Sequence, residues 1–271
     1  ESVKKTQAVA EAVNAKDYER AMSLRSSSFK DAFKTFKTMV RALPHPVEAD
    51  KKRYRIAVLN AGAPAPGMNT AGRAAIRLGL DAGHIMLGVR NGFEGLIEGD
   101  VEEMSWMSVH GWVNRGGAEL GTSRDMPIAG EHEKIAEQFA RYGIDGMLII
   151  GGWSGYQLAY DLHSMQKDHP SLRHPIVCVP ATINHDLPGT EVTIGADTAL
   201  NSIVYDVDKV KDSAVASRRC YVVEVMGRDC GYLALMGGMA TGAERVYLPE
   251  EGITLDDLRA DVNRLVDGFE H

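Results

Sequence analysis

Arginines mark the parts of this sequence that could hold an anion. Arg219 and Arg228 bracket a short apolar run that ends in Met226 and Gly227, and Arg124 closes a separate glycine-containing segment. A guanidinium group presents a planar set of N–H donors that match phosphate oxygens, and it stays charged at any working pH. The sequence therefore predicts an anion site, with a phosphate group as the natural ligand.

A second polar segment could act on a hydroxyl group. Thr182, Ile183, Asn184, His185 and Asp186 follow one another without a break. A carboxylate such as Asp186 can accept a proton, whereas the amide of Asn184 can form a hydrogen bond but cannot take up a proton at neutral pH. The segment is therefore suited to binding a hydroxylated ligand, and Asp186 could act on it as a base.

Five segments with this character occur in order along the chain. They are residues 62–69 (GAPAPGMN), 117–124 (GAELGTSR), 151–155 (GGWSG), 180–190 (PATINHDLPGT) and 226–231 (MGRDCG). A single glycine-rich turn is common in any α/β protein, but five in succession form a specific signal. The first of them opens a predicted helix, whose amino-terminal amides can hold an anion.

The elements that must position these segments alternate between strand and helix. Strands are predicted at residues 55–59, 84–89, 146–150, 175–179, 220–225 and 245–247. Helices are predicted at residues 70–81, 131–142, 153–165, 197–214, 231–240 and 254–266, the last capped by Thr254. Repeated βα units of this length predict an α/β fold with a doubly wound, mainly parallel sheet. In such sheets ligands bind beyond the carboxyl ends of the strands, where these loops lie.

Residues 1–53 differ from the rest and are interpreted as a helical connector and linker, with residues 54–271 as the α/β domain. Residues 1–41 carry a charge of +4 and contain no Gly or Pro, while the remainder carries −11. One apolar stripe recurs at helical spacing: Phe29, Phe33, Phe36, Val40 and Leu43. A basic helix of this kind could bind a membrane or nucleic acid, but packing of the stripe on the neighbouring domain is the favoured interpretation. Pro44 and Pro46 end the helix.

Composition narrows the class of protein. The 271 residues are 44% hydrophobic and 25% charged, as in ordinary globular domains. The net charge of −7 argues against a general nucleic-acid partner. Apolar runs such as residues 147–150 are too short to span a bilayer, and the first residues lack the apolar core of a secretory signal. Three cysteines cannot build a disulfide framework, so a cytoplasmic location is expected.

Residues 54–271 resemble the 6-phosphofructokinases. GAPAPGMN resembles the family's GGDAPGMN phosphate loop, GGWSG its GGDGS loop, PATINHDLPGT its PGTIDNDIPGT segment, and VVEVMGRDCGYLA its sugar-phosphate segment. The leader with LRSSSF resembles the connector between the two halves of eukaryotic-type tandem enzymes. The resemblance implies the start of a C-terminal half that ends before the last sugar-binding segments. It also implies ATP and Mg²⁺ in the catalytic half of the whole enzyme.

The resemblance assigns altered residues to the catalytic positions. Asn184 stands where the family has its base, and Trp153 stands where it has a carboxylate for Mg²⁺. An indole has no lone pair to offer the metal, and Ala63 in the first loop adds a Cβ where the family has glycine. The expectation is therefore that this half has no catalytic residue and binds no metal.

What the resemblance leaves is a site for a sugar-phosphate effector, with fructose 2,6-bisphosphate as the implied activator. The expected ligands are Arg124, Thr182, Ile183, Asn184, His185, Asp186, Arg219, Met226, Gly227 and Arg228. The expected partners are a catalytic phosphofructokinase half and further subunits of an oligomer, without nucleic acid or membrane. Two alternatives stay open: an active kinase half using ATP or pyrophosphate with Asp186 as base, and a purely structural interface module.

Overall fold

The computed structural model describes residues 2–46, 50–124 and 131–269. Within these residues six strands form one sheet in the order β3-β2-β1-β4-β5-β6, and only β3 runs antiparallel to its neighbour. The strands are β1 (Arg55–Ala61), β2 (Ile85–Val89), β3 (Val101–Met104), β4 (Gly146–Gly151), β5 (Ile176–Thr182) and β6 (Ile194–Gly195). The predicted doubly wound, mainly parallel sheet is confirmed.

Helices precede the sheet and connect its strands. They are α1 (Ser2–Asn14), α2 (Tyr18–Arg25), α3 (Ser27–Val40), α4 (Met68–Asp81), α5 (Gly92–Glu98), α6 (Glu131–Tyr142), α7 (Trp153–Ser164), α8 (Ala196–Ser217), α9 (Tyr232–Thr241) and α10 (Leu255–Phe269). The predicted cap of α10 is present, because the Asp257 amide donates to Thr254 Oγ1 and the Thr254 amide donates to the Asp257 carboxylate. Among the described helices, none has the length and apolar content needed to cross a bilayer.

The core lies on both faces of the sheet because alternate strand residues point to opposite sides. On β1, Ala57 and Leu59 join the cluster that includes residues of α5, α6 and α7, while Val58 joins the cluster on the α4 side. All three side chains are fully buried. Two separate apolar layers therefore fix the sheet between helices, as a doubly wound fold requires.

The aromatic stripe of the leader does not pack as expected. Phe29, Phe36, Val40 and Leu43 are exposed, and the one buried residue of α3 is Thr38. The prediction of a stripe packed on the domain is therefore wrong for the described structure. Phe33 is half-buried, and polar contacts at the carboxyl end of α3 hold it to the domain, where Arg73 and Arg77 donate to the Met39 carbonyl.

Polar groups of the domain hold that carboxyl end. Arg77 on α4 is buried and donates from Nη1 to the Met39 carbonyl at 2.5 Å and from Nη2 to the Trp106 carbonyl at 3.3 Å. The Trp106 indole N–H donates to the Arg41 carbonyl at 2.8 Å, and the Arg77 guanidinium lies 4.8 Å from the Trp106 ring centroid. The last carbonyls of a helix lack intrahelical partners, so this cluster satisfies them. We call Arg77, Trp106 and the two leader carbonyls the leader clasp.

Two predicted strands do not form. Within the described chain, residues 220–225 and 245–247 have extended or irregular backbone without a ladder partner. A β-strand is stable only when a neighbour accepts and donates its backbone hydrogen bonds, and the sheet ends at β6. Apolar side chains of the first segment, Tyr221, Val222 and Val223, are exposed as a result.

Candidate functional site

A cavity of about 660 Å³ opens at the carboxyl end of the sheet. Its lining comes from three of the predicted segments: Trp153, Asn184, Asp186, Met226, Gly227, Arg228 and Asp229. Trp153 follows β4, and Asn184 and Asp186 follow β5. Successive strands are added on one side of β1 (β2, β3) and then on its other side (β4, β5, β6), so the topological switch point lies between β1 and β4. Ligands of doubly wound sheets bind at the carboxyl ends of the strands beside such a switch point. The cavity therefore lies where the fold predicts a ligand site.

Close packing explains the glycines around Trp153. A Cβ on Gly155 would lie 2.9 Å from Ile149 Cγ2, and one on Gly152 would lie 3.2 Å from Thr182 Cβ. These glycines let α7 start directly on the sheet, and Trp153 is its first residue. The Trp153 side chain is 54% exposed, although tryptophan is highly buried on average. The structure therefore places an indole in the cavity, at the position where the family resemblance expects a metal carboxylate.

Asn184 and Asp186 present different chemistry to the cavity. The Asn184 backbone amide donates to Thr182 Oγ1 at 3.2 Å, which fixes the start of the loop. Asp186 Oδ1 is buried and has no hydrogen-bond partner among the described residues. A buried carboxylate oxygen without a donor is unfavourable unless a ligand supplies one. Asp186 is therefore the open acceptor of the site.

His185 turns away from the cavity. Its backbone is left-handed, with φ of 57°, and its ring packs against Tyr232 with the centroids 4.3 Å apart. The Thr193 hydroxyl donates to the Thr182 carbonyl at 2.7 Å, so at 3.2 Å it accepts from His185 Nδ1–H. The protein itself therefore supplies the partner of Nδ1 and a packing surface for the ring. His185, Thr182 and Ile183 support the loop and do not line the cavity.

One of the three predicted arginines lines the cavity. Gly227 has φ of +131°, a conformation that side-chain-bearing residues rarely adopt, and a Cβ there would overlap the Cys230 carbonyl. This turn presents Arg228, whose Nε donates to Asp229 Oδ2 at 2.9 Å. The hydrogen bond and the charge of Asp229 raise the pKa of Arg228. Asp229 was not among the residues predicted from the sequence.

The other two arginines lie outside the lining. Arg219 is exposed after the end of α8, and hydrogen bonds from Ser213, Ser217 and Arg219 lower the pKa of Tyr221. Arg124 is exposed and follows Ser123, which pairs with Ala61 at the end of β1. Both arginines are on the surface, and the structure does not bring either to the cavity wall.

The first glycine loop is tied to the second by a buried amide. Asn69 Nδ2 donates to the carbonyls of Arg115 and Gly116, and Asn69 Oδ1 accepts from the Glu119 amide at 2.6 Å. Asn69 is the second residue of α4, so both loops are fixed relative to that helix. Asn69 is the last residue of the GAPAPGMN motif, but its bridging role depends on a segment about 50 residues away and has no local sequence signal.

The donors of the cavity do not fit the Mg²⁺ that accompanies ATP. Magnesium is bound through oxygen ligands, usually one or two carboxylates with water and phosphate. Here Trp153 offers no oxygen, and the Asp229 carboxylate is engaged by Arg228. In the described part of the chain, no group of three or more His, Cys, Asp or Glu side chains is arranged to hold a metal. Asp186 is the one free carboxylate of the lining.

Comparison with known proteins gives the same family throughout. The chain is 42% identical over 266 residues to an ATP-dependent 6-phosphofructokinase from Schistosoma mansoni, covering 97% of this chain and 34% of that protein. It is 40% identical over 267 residues to the muscle-type enzyme of Canis lupus familiaris, with 98% and 34% covered. The chain thus spans about a third of the length of these relatives.

Solved structures agree. The crystal structure of Pichia pastoris phosphofructokinase in the T-state superposes with a TM-score of 0.91 at 38% identity, covering 99% of this chain and 30% of that one. The Saccharomyces cerevisiae phosphofructokinase gives a TM-score of 0.90 at 39% identity, with 99% and 36% covered. The family model "Phosphofructokinase" matches residues 55–271, beginning with β1. The resemblance inferred from the loop motifs is confirmed, and the chain belongs to the phosphofructokinase family.

Proposed function

We propose that this chain is part of an allosteric 6-phosphofructokinase that phosphorylates fructose 6-phosphate, and that within it this half binds fructose 2,6-bisphosphate without catalysing. One observation carries the proposal: Arg228, Asn184 and Trp153 line the same cavity. The cavity has an anion-binding group, but an amide and an indole stand where a base and a metal carboxylate are needed. A site with these two replacements can still bind a phosphate group, but it lacks the groups that phosphoryl transfer needs.

The case against catalysis rests on what phosphoryl transfer requires. It needs a base or positioning residue for the attacking hydroxyl, and a metal ion to neutralise charge on the transferred phosphate. Asn184 cannot take up the proton, and loss of a general base alone costs roughly 10²- to 10⁴-fold in rate. Trp153 adds bulk and no ligand at the metal position. The two replacements act on different steps, so their effects compound.

The case for an effector rests on the groups that remain. Arg228 can bind a phosphate group, and the carboxylate of Asp186, which lines the cavity, can accept a hydrogen bond from a sugar hydroxyl. A neutral Asn184 removes a negative charge that would repel a second phosphate. Arg124 and Arg219 are exposed and would contribute from loops outside the lining. The activating signal would pass to a catalytic half and to other subunits of an oligomer in the cytoplasm.

A working kinase half is the second candidate, because Asp186 lines the cavity and its buried Oδ1 has no hydrogen-bond partner among the described residues. With Asp186 as base, the half would turn over ATP or pyrophosphate. The same preparation that tests effector binding separates the two candidates, since catalysis produces turnover and effector binding does not.

The experiment combines calorimetry with a turnover assay on the full-length protein whose other half is inactivated. We expect fructose 2,6-bisphosphate to bind, Arg228→Ala to weaken binding about tenfold, and fructose 6-phosphate turnover to stay at background with Mg·ATP or pyrophosphate. Arg259→Ala is the matched control, because Arg259 is exposed on α10 outside the cavity. Turnover above background would establish the kinase, and unchanged binding in Arg228→Ala would place the effector elsewhere.

A further inference from the structure

Asp229 is a second charge on the same wall of the cavity. Its Oδ2 accepts from Arg228 Nε at 2.9 Å, and both side chains are open to solvent, with 92% of Arg228 and 72% of Asp229 exposed. The backbone beneath them is anchored. Cys230 Sγ contacts the His185 carbonyl at 3.8 Å, and the Gly231 amide donates to Glu250 Oε1 at 2.8 Å. The pair is therefore held at the cavity by its main chain, while its side chains can exchange partners.

Carboxylate and phosphate groups compete for the same face of a guanidinium. Arginine binds either anion with the same N–H donors, so a phosphate that uses Arg228 Nε must first displace Asp229. The lining as a whole carries one guanidinium and two carboxylates, Asp186 and Asp229. Without a ligand, the Arg228 guanidinium is therefore paired with the Asp229 carboxylate.

We propose that Asp229 is an affinity-determining residue of this site, an internal competitor that occupies Arg228 until a phosphate group displaces it. The proposal rests on the proposed function for the identity of the ligand. The competition sets a threshold: a doubly charged phosphate can displace the carboxylate, whereas a singly charged anion gains little over it. The site is thereby kept from filling with the common monovalent anions of its surroundings.

The size of the effect follows from the exposure of the pair. Solvent-exposed ion pairs contribute little because water and salt screen them. Removing the competitor with Asp229→Asn is therefore expected to tighten phosphate binding by about two- to fivefold. The gain should shrink as salt is raised, because added ions screen the Arg228–Asp229 pair as well.

The test is a double-mutant cycle measured by calorimetry on the full-length protein. Wild type, Asp229→Asn, Arg228→Ala and the double variant are each titrated with fructose 2,6-bisphosphate and, separately, with inorganic phosphate. Asp206→Asn is the matched control. Asp206 lies on α8 with 74% of its side chain exposed and faces Lys209 Nζ at 3.8 Å. We expect tighter binding in Asp229→Asn, no change in Asp206→Asn, and no gain from Asp229→Asn when Arg228 is absent.

The outcomes separate this inference from the proposed function. Equal gains with and without Arg228 would mean general repulsion and would overturn the competitor role, as would unchanged or weaker binding in Asp229→Asn. If inorganic phosphate shows the Arg228-dependent gain while fructose 2,6-bisphosphate binds no variant, the inference stands and the proposed effector is wrong. Absence of binding by either probe in every variant overturns both.

Discussion

Residues 55–196 and residues 197–269 contribute very differently to the interior of this protein. The first region supplies the strands and almost all of the fully buried apolar side chains, whereas Leu233 is the one large side chain of the second region in the described core. In the second region, Val215, Val222, Met239 and Leu255 are exposed. The first region is a closed two-layer core, and the second packs on it through a narrow face.

The helix α8 illustrates the difference. Its 22 residues have one buried member, Ala196 at its start. The inward face predicted from the sequence is only half-buried along its length: Leu200, Ile203, Val204, Val207 and Val210. Against it lies α9, where a Cβ on Gly237 would come within 2.9 Å of Ile203. The contrast teaches that the apolar stripe of a helix can pack on one neighbouring helix, here α9, and stay half-buried without joining a hydrophobic core.

The largest expected effect comes from the same truncation made in each region. Leu59→Ala empties a fully buried position on β1 and should lower the free energy of unfolding by about 2–5 kcal/mol. Leu255→Ala, at a side chain that is 75% exposed, should change it by less than about 0.5 kcal/mol. Urea titration followed by circular dichroism measures both. Similar losses for the two variants would show that the second region has its own core.

A smaller effect is expected from the same arginine truncation in each region. Arg77→Ala removes one of two charged donors from the Met39 carbonyl, which Arg73 also contacts, and the charged donor of the Trp106 carbonyl. It should cost about 1–2 kcal/mol of unfolding free energy. Arg228→Ala removes a side chain that touches solvent and Asp229, so the thermal midpoint should not move. Scanning calorimetry compares them. An unchanged midpoint for Arg77→Ala would show that the clasp is replaced by water at no cost.

The smallest expected effect is spectroscopic. Trp153 lines the cavity and is exposed, while Trp106 and Trp112 are buried. Filling the cavity with fructose 2,6-bisphosphate should exclude water from one indole and shift the emission maximum to shorter wavelength. The shift should be absent in Trp153→Phe and present in Trp112→Phe. The cavity lies between the two regions, because residues of both line it. A shift that persists without Trp153 would therefore place the ligand outside this cavity.

Sequence patterns predicted the first region well because its signals are local. The apolar runs of β1, β4 and β5 and the glycine turns that precede α4 and α7 indicate strand and helix directly. Residues 92–98 and 101–104, which form α5 and β3, were not assigned. In the second region, residues 220–225 have strand-like composition, but strand formation depends on a pairing partner that composition does not reveal.

The site was predicted in part for a related reason. The motifs located Trp153, Asn184, Asp186 and Arg228 in one cavity, because loops at the carboxyl ends of parallel strands converge. They did not indicate that His185 would be satisfied by Tyr232 and Thr193, since those contacts are made through space. They also gave no weight to Asp229, whose effect depends on which way the Arg228 side chain turns.

The leader clasp has a mechanical consequence for the site. Arg77 lies on α4, which begins directly after the first glycine loop, and the ten steps from Gly67 to Arg77 span roughly 15 Å. The helix acts as a rod with the leader fixed at one end and two loops fixed at the other, the second through Asn69. A tilt of α4 cannot move the loops without moving the carboxyl end of α3. A displacement of the leader should therefore be transmitted through α4 to the two loops at the carboxyl end of the sheet.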